Sequence, residues 1–372
     1  MAVLLGMSEA LSTIRQFHET LSFGNRENLV VESRKATEAY RALDDLEVKE
    51  LVKDSLAGFE RSDNYLTCLA CLRPGSLNPF HIALIEAEIF SSGFVYSGAD
   101  QDVATKMVAR LESEEKSLTI NHLLLCLAWT GNEVVWEAFA NWRQESPSWA
   151  NVLYIPPHAY AKEAGWELTE GGQRRDLFSQ TAIPLVTPNN LESRSGVEVG
   201  ISVTESCPWC ERSLTSILKI DGSDPNISFL NLEHRHWEVS TCDVCTCYGL
   251  VFANADSSKA HWHSKNQRPS YLPDDVEDFG AFPERPLVLS DQKRHFMESA
   301  SWTGIPNGHF SQIGGLPTWV QDAEYPACPD CSRTMMFVGQ ISNEDYDRMM
   351  EGIFYAFVCN ECCTTATHYQ QS

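Results

Sequence analysis

The chain has 372 residues, 43% of them hydrophobic, with 28 basic against 51 acidic side chains and a net charge of −23. That length holds two domains or three with full cores, and the composition excludes a disordered or collagen-like chain. Residues 1–150 hold 13 basic and 22 acidic side chains and residues 151–372 hold 15 and 29, so the whole surface repels nucleic-acid phosphate and anionic membranes and favours basic partners.

No apolar run approaches the ~20 residues of a membrane helix. The start of the chain lacks the basic segment of a signal peptide, so no secretion signal is expected. Residues 1–148 predict an all-helical domain. Ser8 stands as an N-cap ahead of Leu11, Ile14, Phe17 and Leu21 at helical spacing. Asn78-Pro79 opens a helix carried by Ile82, Ile85 and Phe90, and Asp100 or Asp102 opens another through Val103, Met107 and Leu111. Residues 118–129 form a third, and Asn132 starts a fourth through Val135, Phe139 and Trp142. The short breaks imply antiparallel neighbours, in a bundle or a HEAT-like solenoid. Residues 149–190 are expected as a connecting segment: a short helix, a turn with an exposed basic pair, Arg174-Arg175, and a Pro/Asn-rich end.

Residues 191–372 read as a strand-rich, Cys-rich α+β domain with ten of the thirteen cysteines. An odd count without a secretion signal argues against a disulfide framework and for the cytoplasm, with thiolates on metal. Four C-x-x-C pairs form two quartets: CPWC with CDVC (Cys207, Cys210, Cys242, Cys245), and CPDC with CNEC (Cys328, Cys331, Cys359, Cys362). Zinc takes four soft ligands in a tetrahedron. Each C-x-x-C turn sets two sulfurs on one side of the ion and a hairpin returns the other two, so two structural zinc ions are expected. In the second quartet the strands are 334–341 and 352–358. In the first they are 214–220 and 227–232 around turn residues 221–226, with a third apolar segment at 237–239. The quartets have the form of an internal duplication, knuckle, strands, knuckle, twice. Cys247 and Cys363 each stand beside a proposed ligand and are alternatives to it. Cys68, Cys71 and Cys126 fall in apolar helical stretches and read as core. A thioredoxin-like role for CPWC is disfavoured, because the pair has a matching partner downstream.

The sequence holds no P-loop, nucleophile elbow or H-E-x-x-H motif. His261/His263 and His234/His236 are close pairs that strand alternation would set on one face, where two imidazoles could hold a metal. A four-cysteine site filled by thiolate has no open position for water and is structural. A non-enzymatic protein is therefore expected, with catalysis through His261 and His263 as an alternative.

Residues 312–321 (QIGGLPTWVQ), then YPACPDC, MMFVGQI, IFYAFVC and NEC, resemble the YwqG-like domain family over residues 305–365. That family carries GG-x-P-x-W-x-Q before a C-x-x-C, a strand ending in Gln-Ile, and a final aromatic strand running into C-x-x-C. The resemblance implies an α+β fold with no agreed biochemical activity, found in solitary cytosolic proteins and in bacterial toxin–immunity loci. The whole order, helical domain then Cys-rich domain, is similar to immunity proteins paired with secreted antibacterial nucleases, those of type VI secretion systems included. It implies a cytoplasmic protein that neutralises a cognate basic toxin by direct binding. A nuclease carries a basic groove for phosphate, which an acidic inhibitor meets with fast, steered association. Asp274, Asp275, Glu277 and Asp278, in the acidic segment 273–280, are the expected contact. Nucleic acid and membrane are not expected partners, and a zinc-stabilised housekeeping scaffold is the other alternative.

Overall fold

The computed structural model describes residues 8–20, 26–58, 63–90, 92–188, 196–232, 236–255, 260–274, 287–301, 310–346 and 351–371. Its helices come first and its antiparallel strands second, in the expected α+β arrangement. The chain divides into two units, one drawn from Met1–Asp176 and the other from Leu177–Ser299 and His309–Ser372.

The first unit holds helices α1 (Glu9–Thr20), α2 (Arg26–Ala42), α3 (Asp45–Leu56), α4 (Asp63–Leu72), α5 (His81–Glu86), α6 (Gln101–Glu112), α7 (Ser117–Thr130) and α8 (Glu133–Gln144), and local caps start α1, α3, α6 and α8. The Ser8 hydroxyl accepts from the Leu11 amide at 3.2 Å, the Asp100 carboxylate from Val103 at 2.9 Å, and the Asn132 amide oxygen from Val135 at 3.3 Å. Each satisfies an amide that the helix itself leaves without an acceptor. Asp44 and Glu47 form a capping box on α3. Leu21 lies outside the described residues. The helix expected from Asn78 is shorter than its apolar pattern. A 3-10 turn over Asn78–Phe80 precedes α5, and the chain turns through Glu88 at φ 55°, so Phe90 packs from the following loop.

Helix α7 is apolar on nearly every side, and Ile120, Leu123, Leu124, Cys126 and Leu127 are all buried. It forms the axis on which α6 and α8 pack. Residues 149–176 also belong to this unit. Trp166 is fully buried, stacks on Phe139 at 5.7 Å between centroids, and donates its indole N–H to the Ala128 carbonyl at 2.8 Å. It opens β1 (Trp166–Leu168), which pairs with β2 (Arg174–Asp176). The pair Arg174-Arg175, expected to be exposed, is held instead. Arg174 meets Asp176 at 2.7 Å and the Gly131 carbonyl at 2.7 Å, and Arg175 meets Glu167 at 2.8 Å. The end of the expected connecting segment enters the second unit as a strand.

The second unit contains β3 (Ser179–Val186), β4 (Val197–Ser206), β5 (Ser213–Asp221), β6 (His236–Thr241), β7 (Val251–Asn254), β8 (His261–Trp262), β9 (Val288–Leu289), β10 (Arg294–His295), β11 (Gln312–Gly315), β12 (Met336–Ser342), β13 (Ile353–Cys359) and β14 (Thr364–Gln370). One sheet runs β10-β3-β11-β12-β13-β14-β7-β8, with β9 added to β3, and another runs β4-β5-β6. Strand β13 is buried along its whole length between β12 and β14, which gives it the unbroken apolar sequence of a central strand.

The GG-x-P segment is shaped by backbone geometry. Gly314 sits at φ +66°, and a Cβ there would lie 2.5 Å from the Thr181 carbonyl oxygen and from the Phe229 ring. Only glycine fits that left-handed, crowded position. Buried side chains then pin the loop. Gln340 accepts from the Thr318 amide at 2.8 Å and donates to Phe310 O at 2.6 Å, and the Tyr355 hydroxyl donates to Thr318 O at 2.8 Å. The glutamine of the Gln-Ile strand end thus reads as a backbone clamp. No helix among the described residues is long and apolar enough to cross a membrane.

Candidate metal centres

The hairpin expected between the second pair of knuckles forms as β12 and β13, with Ile341 opposite Phe354. In the first quartet β5 forms as expected, but 227–232 is not its partner. Pro225 cannot donate to a strand ladder, and Asp224 caps a 3-10 turn over Pro225–Leu230 by accepting from the Asn226 amide at 2.8 Å. The returning strand is β6, with Trp237 opposite Ile220. It carries the third apolar segment.

The opening knuckles of the two quartets are built alike. The Cys207 amide donates to Arg212 O at 2.7 Å and the Glu211 amide to Cys207 O at 2.8 Å. In the second, the Cys328 amide donates to Arg333 O at 2.8 Å and the Ser332 amide to Cys328 O at 2.9 Å. Glu211 and Ser332 take the same left-handed turn, at φ 63° and 62°. Amides also point at sulfur: Trp209 N lies 3.4 Å from Cys207 Sγ, and Cys245 N lies 3.4 Å from Cys242 Sγ. Such donors stabilise negative charge on a thiolate.

Each knuckle pair brings four sulfurs together. Cys207, Cys210, Cys242 and Cys245 form one group that could hold a metal ion and Cys328, Cys331, Cys359 and Cys362 another, with all sulfurs of a group within 4.8 Å of one another. The Sγ–Sγ distances are 3.8 Å for Cys207–Cys245, 3.5 Å for Cys210–Cys242 and 3.7 Å for Cys331–Cys359. A tetrahedron with metal–sulfur bonds near 2.3 Å has edges of about 3.8 Å, whereas a disulfide bond is about 2.05 Å. The sulfurs therefore stand at the spacing of ligands around one ion.

Electrostatics point the same way. The thiols of Cys242 and Cys245 and nearby backbone amides hold Cys207 as a thiolate, down to about 4. That charge pushes Cys242 and Cys245 above the usual thiol range. In the second group the Arg333 amide and the neighbouring thiols lower Cys331, burial raises Cys359 to about 11, and Cys331 raises Cys362. One thiolate forms readily in each quartet, while Cys242 and Cys245 in the first and Cys359 and Cys362 in the second resist ionisation. A divalent cation held by these sulfurs would favour their thiolate forms. Arg333 also pairs with Glu361, tying the two knuckles of the second centre.

The remaining predicted residues lie elsewhere. Cys247 and Cys363 direct their sulfurs to the Asp243 carbonyl at 3.4 Å and the Asn360 carbonyl at 3.9 Å. Cys68, Cys71 and Cys126 are buried in the helical unit. Asp274 is fully exposed, 3.0 Å from Arg268, while Asp275, Glu277 and Asp278 lie outside the described residues, as does His234. His261 and His263 are committed to different carboxylates. His261 Nδ1 lies 2.8 Å from Glu205, just before the first knuckle. His263 Nδ1 accepts from the Lys265 amide at 3.1 Å, so its Nε2–H donates to Asp330, 3.1 Å away inside CPDC. Lys265 Nζ adds contacts of 2.8 Å to Asp330 and 2.7 Å to Pro329 O. Lys265 and His263 together hold the Asp330 carboxyl below its usual range. The Trp262 ring meets Trp209 of CPWC edge to face at 4.9 Å. Sequence reasoning missed Glu205, Trp209, Lys265 and Asp330 as supports of the centres. The visible signal was their position, inside or beside the knuckles and the HWH segment.

No protein-family model matches the chain, and no solved structure does. It is 35% identical over 352 residues to a Salmonella typhimurium protein described as "Uncharacterized protein YpfL", an alignment covering 90% of this chain and 80% of that protein. An alignment of that identity and extent places this chain in one family with YpfL.

Proposed function

We propose that the chain is a zinc-stabilised, acidic binding protein of the cytoplasm, an immunity factor that neutralises a basic antibacterial toxin by direct contact. The observation that carries the reading is the pair of four-sulfur clusters on a chain of net charge −23. Zinc suits the donor set, because four thiolates at tetrahedral spacing fill every coordination position. Such a centre stiffens its surroundings and leaves no site for an activated water. The rigid acidic exterior can meet the phosphate-binding groove of a nuclease, and rigidity lowers the ordering cost of docking. The resemblance of residues 305–365 to YwqG-like domains supports the same reading. Asp274 with Asp275, Glu277 and Asp278 remains the proposed contact.

The experiment has two arms. Elemental analysis of purified protein is expected to return two zinc ions per chain. The protein encoded beside this chain, if a secreted toxin, is expected to co-purify with it and to lose its toxicity in cells that express it. Zinc-free native protein refutes the metal reading. Unprotected cells, with no complex on mixing the two proteins, refute the immunity reading.

A further inference from the structure

We propose that the segment 261–265 braces the two cysteine centres against each other, so that filling either one secures metal in the other. Short as it is, this segment reaches both. Trp262 packs on the buried cluster that contains Cys207, Cys242 and Cys245, and touches Trp209, which lies between Cys207 and Cys210. One residue on, His263 and Lys265 hold Asp330, which lies between Cys328 and Cys331. His261 meets Glu205 at 2.8 Å on the strand leading into Cys207. The sheet adds a backbone route: β8 pairs with β7, and β7 pairs with β14, which starts at Thr364 directly after the second centre. The Ala255 amide donates to Cys363 O at 2.7 Å along the same seam.

An ion on Cys328 and Cys331 fixes the turn that carries Asp330. Asp330 then fixes His263 and Lys265, and through them the register in which Trp262 meets Trp209. Loss of that ion releases the anchor and loosens the knuckle of Cys207 and Cys210. Linkage makes the effect reciprocal. His263, Lys265, Asp330 and Trp262 are positioning residues in this scheme, since none supplies a ligand to either group. Partners of this outer kind commonly change metal retention by about 10–100-fold when removed. The inference rests on metal occupancy of the quartets and is independent of any toxin.

The test uses the full-length, metal-loaded protein, challenged with a chelator in the presence of N-ethylmaleimide. Peptide mass spectrometry reads which cysteines are alkylated and when. In the wild type both quartets are expected to be alkylated at one common rate. In Asp330→Asn and in Trp262→Leu the rates are expected to separate by about tenfold. Two separate rates in the wild type, or a common rate that neither variant splits, overturns the proposal. Should a variant be insoluble, the wild-type rates and the other variant decide. Metal content measured on the same sample separates a failure of the brace from a failure of the metal reading.

Discussion

Cys359→Ser tests whether metal holds the second unit together. Cys359 ends β13, the strand whose seven residues are all buried between β12 and β14, and its sulfur lies 3.7 Å from Cys331. It therefore ties the end of a central strand to the knuckle that precedes β12. A serine hydroxyl keeps the shape but does not ionise at neutral pH, so the tetrahedron loses a ligand. Structural zinc supplies roughly 10–16 kcal/mol of apparent binding energy in small finger peptides, against a net domain stability of about 5–15 kcal/mol. Losing even half of that brings the unit to the edge of unfolding. The assay is zinc per chain by elemental analysis, the soluble fraction, and the melting profile by circular dichroism. The expected variant is poorly soluble, carries at most one zinc ion, and lacks the cooperative melting of the β-rich unit. A Cys359→Ser protein with wild-type zinc content and wild-type melting would refute the reasoning.

Three more outcomes are expected. Gly314→Ala places a methyl 2.5 Å from the Thr181 carbonyl and the Phe229 ring at φ +66°, and should lower stability by about 2–4 kcal/mol in urea unfolding. Trp166→Ala removes a fully buried indole stacked on Phe139 and hydrogen-bonded to Ala128, and should cost about 3–5 kcal/mol, read in the helical unit's melting. His81 is buried with Nε2 3.0 Å from the Val95 carbonyl, and burial lowers its affinity for a proton below the ordinary 6.5 despite the opposing pull of that carbonyl and of Asp100. The unfolded chain therefore binds a proton that the folded chain refuses, so stability is full above 6.5 and falls as pH drops below it. Urea midpoints at pH 7.5 and 5 should show a smaller drop in His81→Gln, whose amide can still donate to Val95.

What the sequence reveals and what it hides follow from the range of the interactions. Asp100 and Asn132 cap their helices through amides three residues away, so the starts of α6 and α8 are legible locally. The hairpin β12–β13 is legible because β13 is rich in aromatic and β-branched residues and β12 carries Phe337, Val338 and Ile341. The strand expected at 227–232 fails because the Asp224-Pro225 dipeptide outweighs the apolar residues after it. Trp166 looks like linker until Phe139 and Ala128 are seen around it. Alternation in HWH suggests a strand, which forms over His261–Trp262 and stops short of His263, and the carboxylates that its histidines meet lie 56 and 67 residues away in Glu205 and Asp330. No local pattern encodes such a pairing.

The surroundings of the first cysteine group show what a bound metal ion would add there. Beyond the main core of the sheets, the end of β5 and β6 is held by a separate buried cluster: Leu214, Val244 and Leu272 with Cys207, Cys242 and Cys245. Val203, Trp209, Tyr248 and Trp262, partly buried, pack against it. Strand β4, which leads into the first knuckle, has one buried residue among its ten. An ion on four sulfurs would add cross-links there in the volume of a few atoms. Four thiolates around a divalent ion would also keep a net negative charge, so a bound ion would stiffen the unit without diluting its acidity. The cations near the second centre, Lys265 on Asp330 and Arg333 on Glu361, are engaged with carboxylates of the knuckles themselves. Under the proposed function, stiffness and negative charge would both come from one chemical choice, a combination suited to holding a basic partner.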